Sequence, residues 1–383
     1  MANVGAFKNL GENDIVSTRT LLHEAIPLTG TIVSGTYSEE NIKFHPHGMF
    51  QSVYDYPYLS SSANHIFDIT AGTSTKSGNH STSQNQYKKK KNIYNQMSQV
   101  LVGYDVTGSV LRFDADGNIL AGGSKLDDVF ILPFSRLLVK DEIKKETFSM
   151  IIGVSSSAAF GDGQVFRDRI LISDIGAKTS YFVNSPAGEY GILYATASHQ
   201  SKTNLLHGTG VTTIGSNIYH TVGLLYYQAG IAVISGSIFN DQADGGIINN
   251  STGSCKFFDS TLIAAAGTSS LDEALSNHAI KDVGNNFRNR IYNISFNNTT
   301  ELNSTIYFCR ANHNEFNYST NQTYLSGSKI IIKNDNPSAD PISYITTIGL
   351  YSPNDELMGV AKLSEPLKKT PSQEFTLRVR LDY

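Results

Sequence analysis

The chain has 383 residues, 40% of them hydrophobic, and a formal net charge of -4. That length exceeds the ~100–200 residues of one ordinary domain and leaves room for two domains or one large β-rich body. The charge balance excludes a chain drawn as a whole toward nucleic acid or an anionic membrane, and no run approaches the ~18 apolar residues of a membrane-spanning helix.

Charged residues make up only 17%, below the ~25% usual for soluble domains, and Ser, Thr, Asn and Gly take their place beside 20 Tyr and 19 Phe. Such a surface suits permanent neighbours. A charge is costly to desolvate in an interface, whereas tyrosine buries area and keeps a polar tip. The first ten residues lack the basic segment and apolar run of a signal peptide, so assembly in a cytosol is expected. In that setting Cys255 and Cys309 read as reduced core residues. The Asn-x-Ser/Thr triplets at Asn79, Asn250, Asn293, Asn303, Asn317 and Asn321 then read as accidents of composition.

Taken in order, residues 1–84 read as an extended N-terminal arm and loop: a polar leader, short strand-like pieces, then a Ser/Thr/Asn/Gly-rich stretch. The spacing of Ile93, Met97, Val100, Leu101 and Tyr104 predicts one clear helix over about 85–104, with Lys88, Lys89, Lys90 and Lys91 left in solvent. The turn chemistry of Asp114-Ala115-Asp116-Gly117 predicts a hairpin between strands at 110–113 and 118–120. Further strands are expected at 127–138, 147–154 paired with 169–175, 181–183, 191–195, and 219–234 with a break at 228–230. A second helical stretch is expected at 270–280. Strands return at 289–296, 304–309, 329–333, 344–351, 358–364 and 374–381. The fold class is therefore α+β and β-rich, built from antiparallel sheets. The expected division is an arm at 1–84, a β-rich body with the helix at 85–284, and a C-terminal β module at 285–383. No internal repeat is visible, which argues against solenoids and propellers.

Few residues suggest chemistry. His45-Pro46-His47, with His65 and His80 downstream, is the best candidate metal site, because alternate histidines of an extended segment share a face. No carboxylate or cysteine stands nearby at a characteristic spacing, so these read as polar loop histidines. Asp114-Ala115-Asp116-Gly117-Asn118 opens like a calcium loop, but the twelfth position, where the closing glutamate belongs, is Lys125. Phosphate-loop and serine-elbow motifs are missing. A hydrolase or glycosidase hidden in the chain would have to draw on carboxylates such as Asp127, Asp128, Asp162 or Asp168. The expectation is no catalytic residue, no cofactor and no metal.

The C-terminal part carries a recognisable pattern. It runs through Tyr307-Phe308-Cys309-Arg310-Ala311-Asn312-His313-Asn314-Glu315-Phe316-Asn317-Tyr318, then Ile348-Gly349-Leu350-Tyr351, then Val360-Ala361-Lys362-Leu363-Ser364, and ends Leu377-Arg378-Val379-Arg380-Leu381-Asp382-Tyr383. In this order the segments resemble a C-terminal module of virion structural proteins of large contractile-tailed bacteriophages, notably of marine bacteria. The resemblance is strongest over 292–383, fainter over 92–101, 129–150 and 223–234, and does not reach the first eighty residues. It implies a non-enzymatic virion component of the tail or baseplate, assembled in the host cytoplasm through contacts with its own copies and other virion proteins. Neither a membrane nor specific nucleic-acid binding is implied. A fibre-attachment or receptor-binding role, or a capsid or neck position, is the alternative. Within the module, Ser352-Pro353-Asn354-Asp355 should turn a hairpin, and Gly349 should let a neighbouring backbone or a bulky ring approach closely. Pro366 and Pro371 should bracket a connector. Phe375, Leu377, Val379 and Leu381 should form a dry strand face, with Tyr383 packed or bonded near Arg378 or Arg380.

Overall fold

The computed structural model describes residues 8–27, 39–78, 85–119, 122–154, 169–196, 205–207, 212–214, 217–249, 271–319, 321–327, 329–330, 338 and 340–383. The first strands in chain order are β1 (Ile15–Pro27), β2 (Ile42–Phe44), β3 (Gln51–Tyr54), β4 (His65–Thr73), β5 (Asp128–Pro133), β6 (Glu142–Ile143) and β7 (Ser149–Gly153). Next come β8 (Arg169–Ser173), β9 (Phe182–Ser185), β10 (Gly188–Thr196), β11 (Thr212–Ile214), β12 (Asn217–Tyr226) and β13 (Ile231–Ser235). The last are β14 (Ile291–Ala311), β15 (Leu325–Ser326), β16 (Lys329–Ile330), β17 (Ser343–Tyr351), β18 (Leu357–Lys369) and β19 (Phe375–Asp382). The helices are α1 (Asn85–Leu101), α2 (Arg136–Val139), α3 (Leu271–Asn277) and α4 (Ile280–Arg290). The class is β-rich α+β with antiparallel ladders. The chain divides into one unit of Leu22–Thr300 and another of Met1–Leu21 with Glu301–Tyr383.

In the larger unit the strand order is β14-β7-β8-β10-β12-β13-β5-β4-β3-β2. Strand β5 explains its apolar run. Its alternation sends Val129 and Ile131 into a cluster with Ile93, Tyr94 and Leu101 of α1, while Phe130 and Leu132 join a second cluster with Val283 and Phe287 of α4. A strand buried on both faces has no polar side to alternate with. Phe130 and Phe287 stack with ring centroids 4.4 Å apart. Helix α1 lies directly on β4 at Gly72, where a Cβ would come within 3.1 Å of Tyr94 Cα. The expected pairing of 147–154 with 169–175 is the β7–β8 ladder, and the break at 228–230 is the turn between β12 and β13.

Several expectations change here. Strands β2, β3 and β4 lie inside the stretch read as arm and loop, and Ile42, Val53, Phe67 and Ile69 are core residues. β2 and β3 are short, and β4 is buried along most of its nine residues, so neither length nor a polar–apolar period marks them. Helix α4 went unread because its buried side includes Asn286, Arg288 and Arg290, which carry no apolar signal. Arg290 satisfies itself with Asn286 Oδ1 at 3.1 Å and the Gly153 carbonyl at 3.2 Å. The hairpin around Asp114–Gly117 has no named strands at 110–113 or 118–119. It is closed by bridges at Tyr104–Val110 and Asp114–Lys125. Residues 160–163, expected in the turn region between the strands at 147–154 and 169–175, lie outside the described residues.

In the smaller unit, residues 304–311 of β14 pair antiparallel with β19, from Ser304–Asp382 to Ala311–Phe375. The strands expected at 289–296 and 304–309 are thus one continuous strand, with polar Asn297–Asn303 in its middle. Strands β17 and β18 form the expected hairpin, with Ile348 opposite Ala361 and Gly349 opposite Val360. Gly349 lies against the Tyr351 ring, where a Cβ would come within 2.9 Å of Cε2. Pro366 is not in a connector. It sits inside β18, where the register jumps from Thr347–Lys362 to Ile345–Leu367, and this irregularity spares the ladder its missing N–H.

Candidate interaction surface and polar sites

The smaller unit keeps apolar groups in solvent. On the β17–β18 hairpin Tyr344, Tyr351, Leu357, Val360 and Met358 are all exposed, Met358 at 69%. The other side of the hairpin, with Ile348, Leu350, Ala361 and Leu363, is half-buried. In β1 every residue from 15 to 25 is exposed on both faces, among them Ile15, Val16, Leu21 and Leu22. Side chains along its rim tie the strand to β14: Ser17 Oγ to Thr305 Oγ1 at 3.1 Å, and Arg310 Nε to Asp14 Oδ1 at 2.8 Å.

The base of the hairpin is anchored from within. Lys369 is fully buried and its ammonium donates to Asn317 Oδ1 at 2.7 Å, to the Thr370 carbonyl at 2.9 Å and to the His313 carbonyl at 3.2 Å. Burial lowers its pKa. These acceptors hold the Asn314–Asn317 turn, in which Phe316 takes a positive φ of 55° and the Ser343 hydroxyl donates to its carbonyl. Glu315 accepts from Lys8 Nζ at 2.6 Å and from the Asn312 amide at 3.0 Å, which together hold its carboxyl below the usual range.

The terminal strand keeps its period but half its dryness. Val379 is buried, Phe375, Leu377 and Leu381 are half-buried, and the alternate residues are exposed. Tyr383 is bonded as expected, but to neither Arg378 nor Arg380: the residue is 75% exposed and is held by paired backbone bonds to Asn303 and by its hydroxyl 3.1 Å from Thr305 Oγ1. Arg380 instead serves Asp382 at 2.7 Å and Ser304 at 3.0 Å.

The sequence candidates for chemistry are dispersed. His45 and His47 stack on each other with centroids 5.2 Å apart and planes 7° from parallel, so their ring nitrogens do not converge on one point. His45 Nε2 instead meets Ser52 Oγ at 3.0 Å, His47 Nδ1 accepts from the Met49 amide at 3.0 Å, and His65 Nε2 pairs with Asp68 at 2.8 Å. Burial, then the neighbouring His47, lowers the His45 pKa. Among the described residues no group of three or more His, Cys, Asp or Glu could hold a metal ion; His80 lies outside them. Lys125, at the twelfth position of the calcium-like loop, puts its own ammonium on the buried Asp114 carboxylate. A fixed cation occupies the place where the loop would need an anion.

Asp127 and Asp128 line an open polar cavity of about 230 Å³ together with Lys125, Ser237, Asn240 and Asp244. Both are engaged. Asp127 accepts from Arg112 at 2.9 Å and from the Ser74 hydroxyl, and Asp128 accepts from Thr73 at 2.5 Å and Ser77 at 2.8 Å. Asp162, Asp168 and Cys255 lie outside the described residues. Cys309 is a free, half-buried thiol whose pKa is raised by burial and then by Asp14.

Two further buried charges also carry no mark in the sequence. Lys90 of α1 is 0% exposed and donates to the carbonyls of Ala274, Leu275 and His278. Asp174, at the end of β8, accepts from the amides of Glu146 at 2.8 Å and Phe148 at 3.0 Å and from the Tyr227 hydroxyl at 3.1 Å. No sequence signal marks either, since each depends on a partner dozens of residues away.

No helix among the described residues is long and apolar enough to cross a membrane. No protein family, curated protein or solved structure matches the chain.

Proposed function

We propose that this chain is a non-enzymatic structural component of a tailed-bacteriophage particle, placed in the tail or baseplate and joined to other virion proteins and to its own copies. The observation that carries the reading is the hairpin of β17 and β18, which projects Tyr, Leu, Met and Val into solvent from a base pinned by a buried lysine. A two-stranded hairpin has little independent stability in water. Exposed apolar groups rimmed by polar ones are typical of protein–protein contact surfaces. The C-terminal sequence pattern and the low-charge, tyrosine-rich composition point the same way. Chemistry is assigned to no residue, and neither a metal nor a cofactor is required.

The test is mass spectrometry of purified particles of the phage that encodes the chain, with and without Val360→Lys/Met358→Lys. The wild-type chain is expected at fixed stoichiometry in the tail fraction, and the double variant is expected to fold but to be excluded. Wild-type chain absent from purified particles would overturn the reading.

A further inference from the structure

We propose that Lys369 and Asn317 join in an isopeptide bond that the folded chain forms by itself, locking the base of the β17–β18 hairpin covalently. Both residues lie in the smaller unit. The Lys369 ammonium stands 2.7 Å from Asn317 Oδ1, and the carboxamide carbon is one covalent bond beyond that oxygen. Folding thus holds a nucleophile against an acyl carbon, at an effective concentration that no free amine reaches. One backbone oxygen spans the exchange. The His313 carbonyl accepts from Lys369 Nζ at 3.2 Å and from Asn317 Nδ2, the leaving nitrogen, at 2.8 Å. Lys369 is 0% exposed, and its three acceptors, Asn317, His313 and Thr370, are all uncharged. An ammonium buried on uncharged acceptors sheds its proton more readily, and a desolvated neutral lysine is a nucleophile. Lys90 is buried in the same way, but its acceptors are backbone carbonyls, where attack would cut the chain. Asn317 offers a side-chain acyl group instead, with ammonia to leave.

The step balances without a co-reactant. Lys369 loses a proton to solvent, and the free amine adds to Asn317 Cγ. The Cγ–Nδ2 bond breaks as Nδ2 takes a second proton from Nζ and departs as ammonia, which regains from solvent the proton first released. One lysine ammonium and one carboxamide become one secondary amide and one free ammonium ion. The charged groups around the amine are Glu374 and Glu315, themselves paired with His313 at 3.2 Å and Lys8 at 2.6 Å. Burial favours the free amine and both carboxylates favour the ammonium, so raising the pH frees the amine and speeds the bond. The reaction is a single self-modification without turnover, and it does not depend on where the chain assembles. The ring it closes runs from 317 to 369 and encloses both strands of the hairpin, which alone have little stability. Closing a loop disfavours the unfolded chain, as a disulfide does.

The experiment uses the full chain, purified in its folded state and held at mildly alkaline pH until its mass is constant. The intact mass should fall below the sequence mass by one ammonia. After trypsin, Asn317 in peptide 311–329 should be joined to Lys369 in peptide 369–378, with cleavage after Lys369 blocked. That branched peptide should be absent from Asn317→Ala and from Lys369→Met. It should also be absent from wild-type chain held in urea, where the two groups are no longer adjacent. Hydrogen exchange at 304–311 checks that both variants keep the β14–β19 ladder. A folded wild-type chain without the branched peptide overturns the proposal whatever its mass, because other asparagines can lose ammonia by forming imides. Equal yield of the branched peptide in urea overturns it too, since the bond would then owe nothing to the fold.

Discussion

The ammonium of Lys90 lies 2.8 Å from the carbonyl oxygen of Leu275, at the C-terminal end of α3 and out of contact with water. Two more carbonyls, of His278 at 2.6 Å and Ala274 at 3.1 Å, complete its acceptors. The last carbonyls of a helix have no partner within it, and a cation beside them is favourable. Burial nevertheless dominates and pushes the Lys90 pKa down to about 7, with Asp282 opposing the shift. The unfolded chain binds this proton more tightly than the folded chain does between pH about 7 and the ordinary value of 10.5. The contribution of Lys90 to stability therefore rises as pH rises through that window. Urea midpoints measured from pH 7 to 10 should show this rise, and Lys90→Met should remove it. An unchanged slope in the variant would refute the burial of the charge.

The buried side of α1 differs from the stripe read in the sequence. Leu101 is fully buried whereas Val100 is 62% exposed. Leu101→Ala should cost about 2–5 kcal/mol by leaving a cavity, and Val100→Ala should stay within about 0.5 kcal/mol, as exposed substitutions do. Lys89→Ala should be nearly silent, unlike any change at Lys90. Chemical denaturation of the three variants checks the order.

Asp174 titrates in the opposite sense. Burial raises its carboxyl to about 6 against its three hydrogen-bond donors, so the folded chain holds this proton more tightly than the unfolded chain between about pH 4 and 6. Stability from this group is full below about pH 4 and is lost as pH rises through 6. In Asp174→Asn that fall should vanish. The variant also leaves unpaired one amide that the carboxylate served, a cost of about 1–3 kcal/mol that at neutral pH opposes the gain from removing the buried charge. Midpoints that still fall between pH 4 and 6 in the variant would count against it.

Removing residues 374–383 strips β14 of its partner from Ser304 to Ala311. Hydrogen exchange should show those amides losing protection while β5, β12 and β13 keep theirs. Removing Tyr383 alone should cost little stability, since its ring is exposed and only its pairing with Asn303 and Thr305 is lost. Unchanged protection of 304–311 in the longer deletion would mean that β14 stands without β19.

Local pattern was enough for much of the molecule. Period-two alternation marked β19, a Ser-Pro-Asn-Asp turn marked the β17–β18 hairpin, and the apolar spacing marked most of α1. In each case the signal lies within a few residues, because strand and helix periods and turn dihedrals are properties of contiguous chain. The missing glutamate at Lys125 was legible for the same reason, but the use of that lysine as the partner of Asp114 was not.

What neighbours distant in sequence decide could not be read this way. The sequence treats four consecutive lysines alike, and only the end of α3 singles out Lys90 for burial. The polar middle of β14 looks like a break between two strands, yet Asn298 and Thr299 pair with β6 and become buried. Polar groups enter a core when partners from elsewhere satisfy them, and a single stretch of sequence does not contain those partners. The free edge of β1 follows the same logic. Its residues read as short strand-like pieces of an arm, while their joining into one strand at the end of the strand order, with both faces in solvent, is a property of the folded chain.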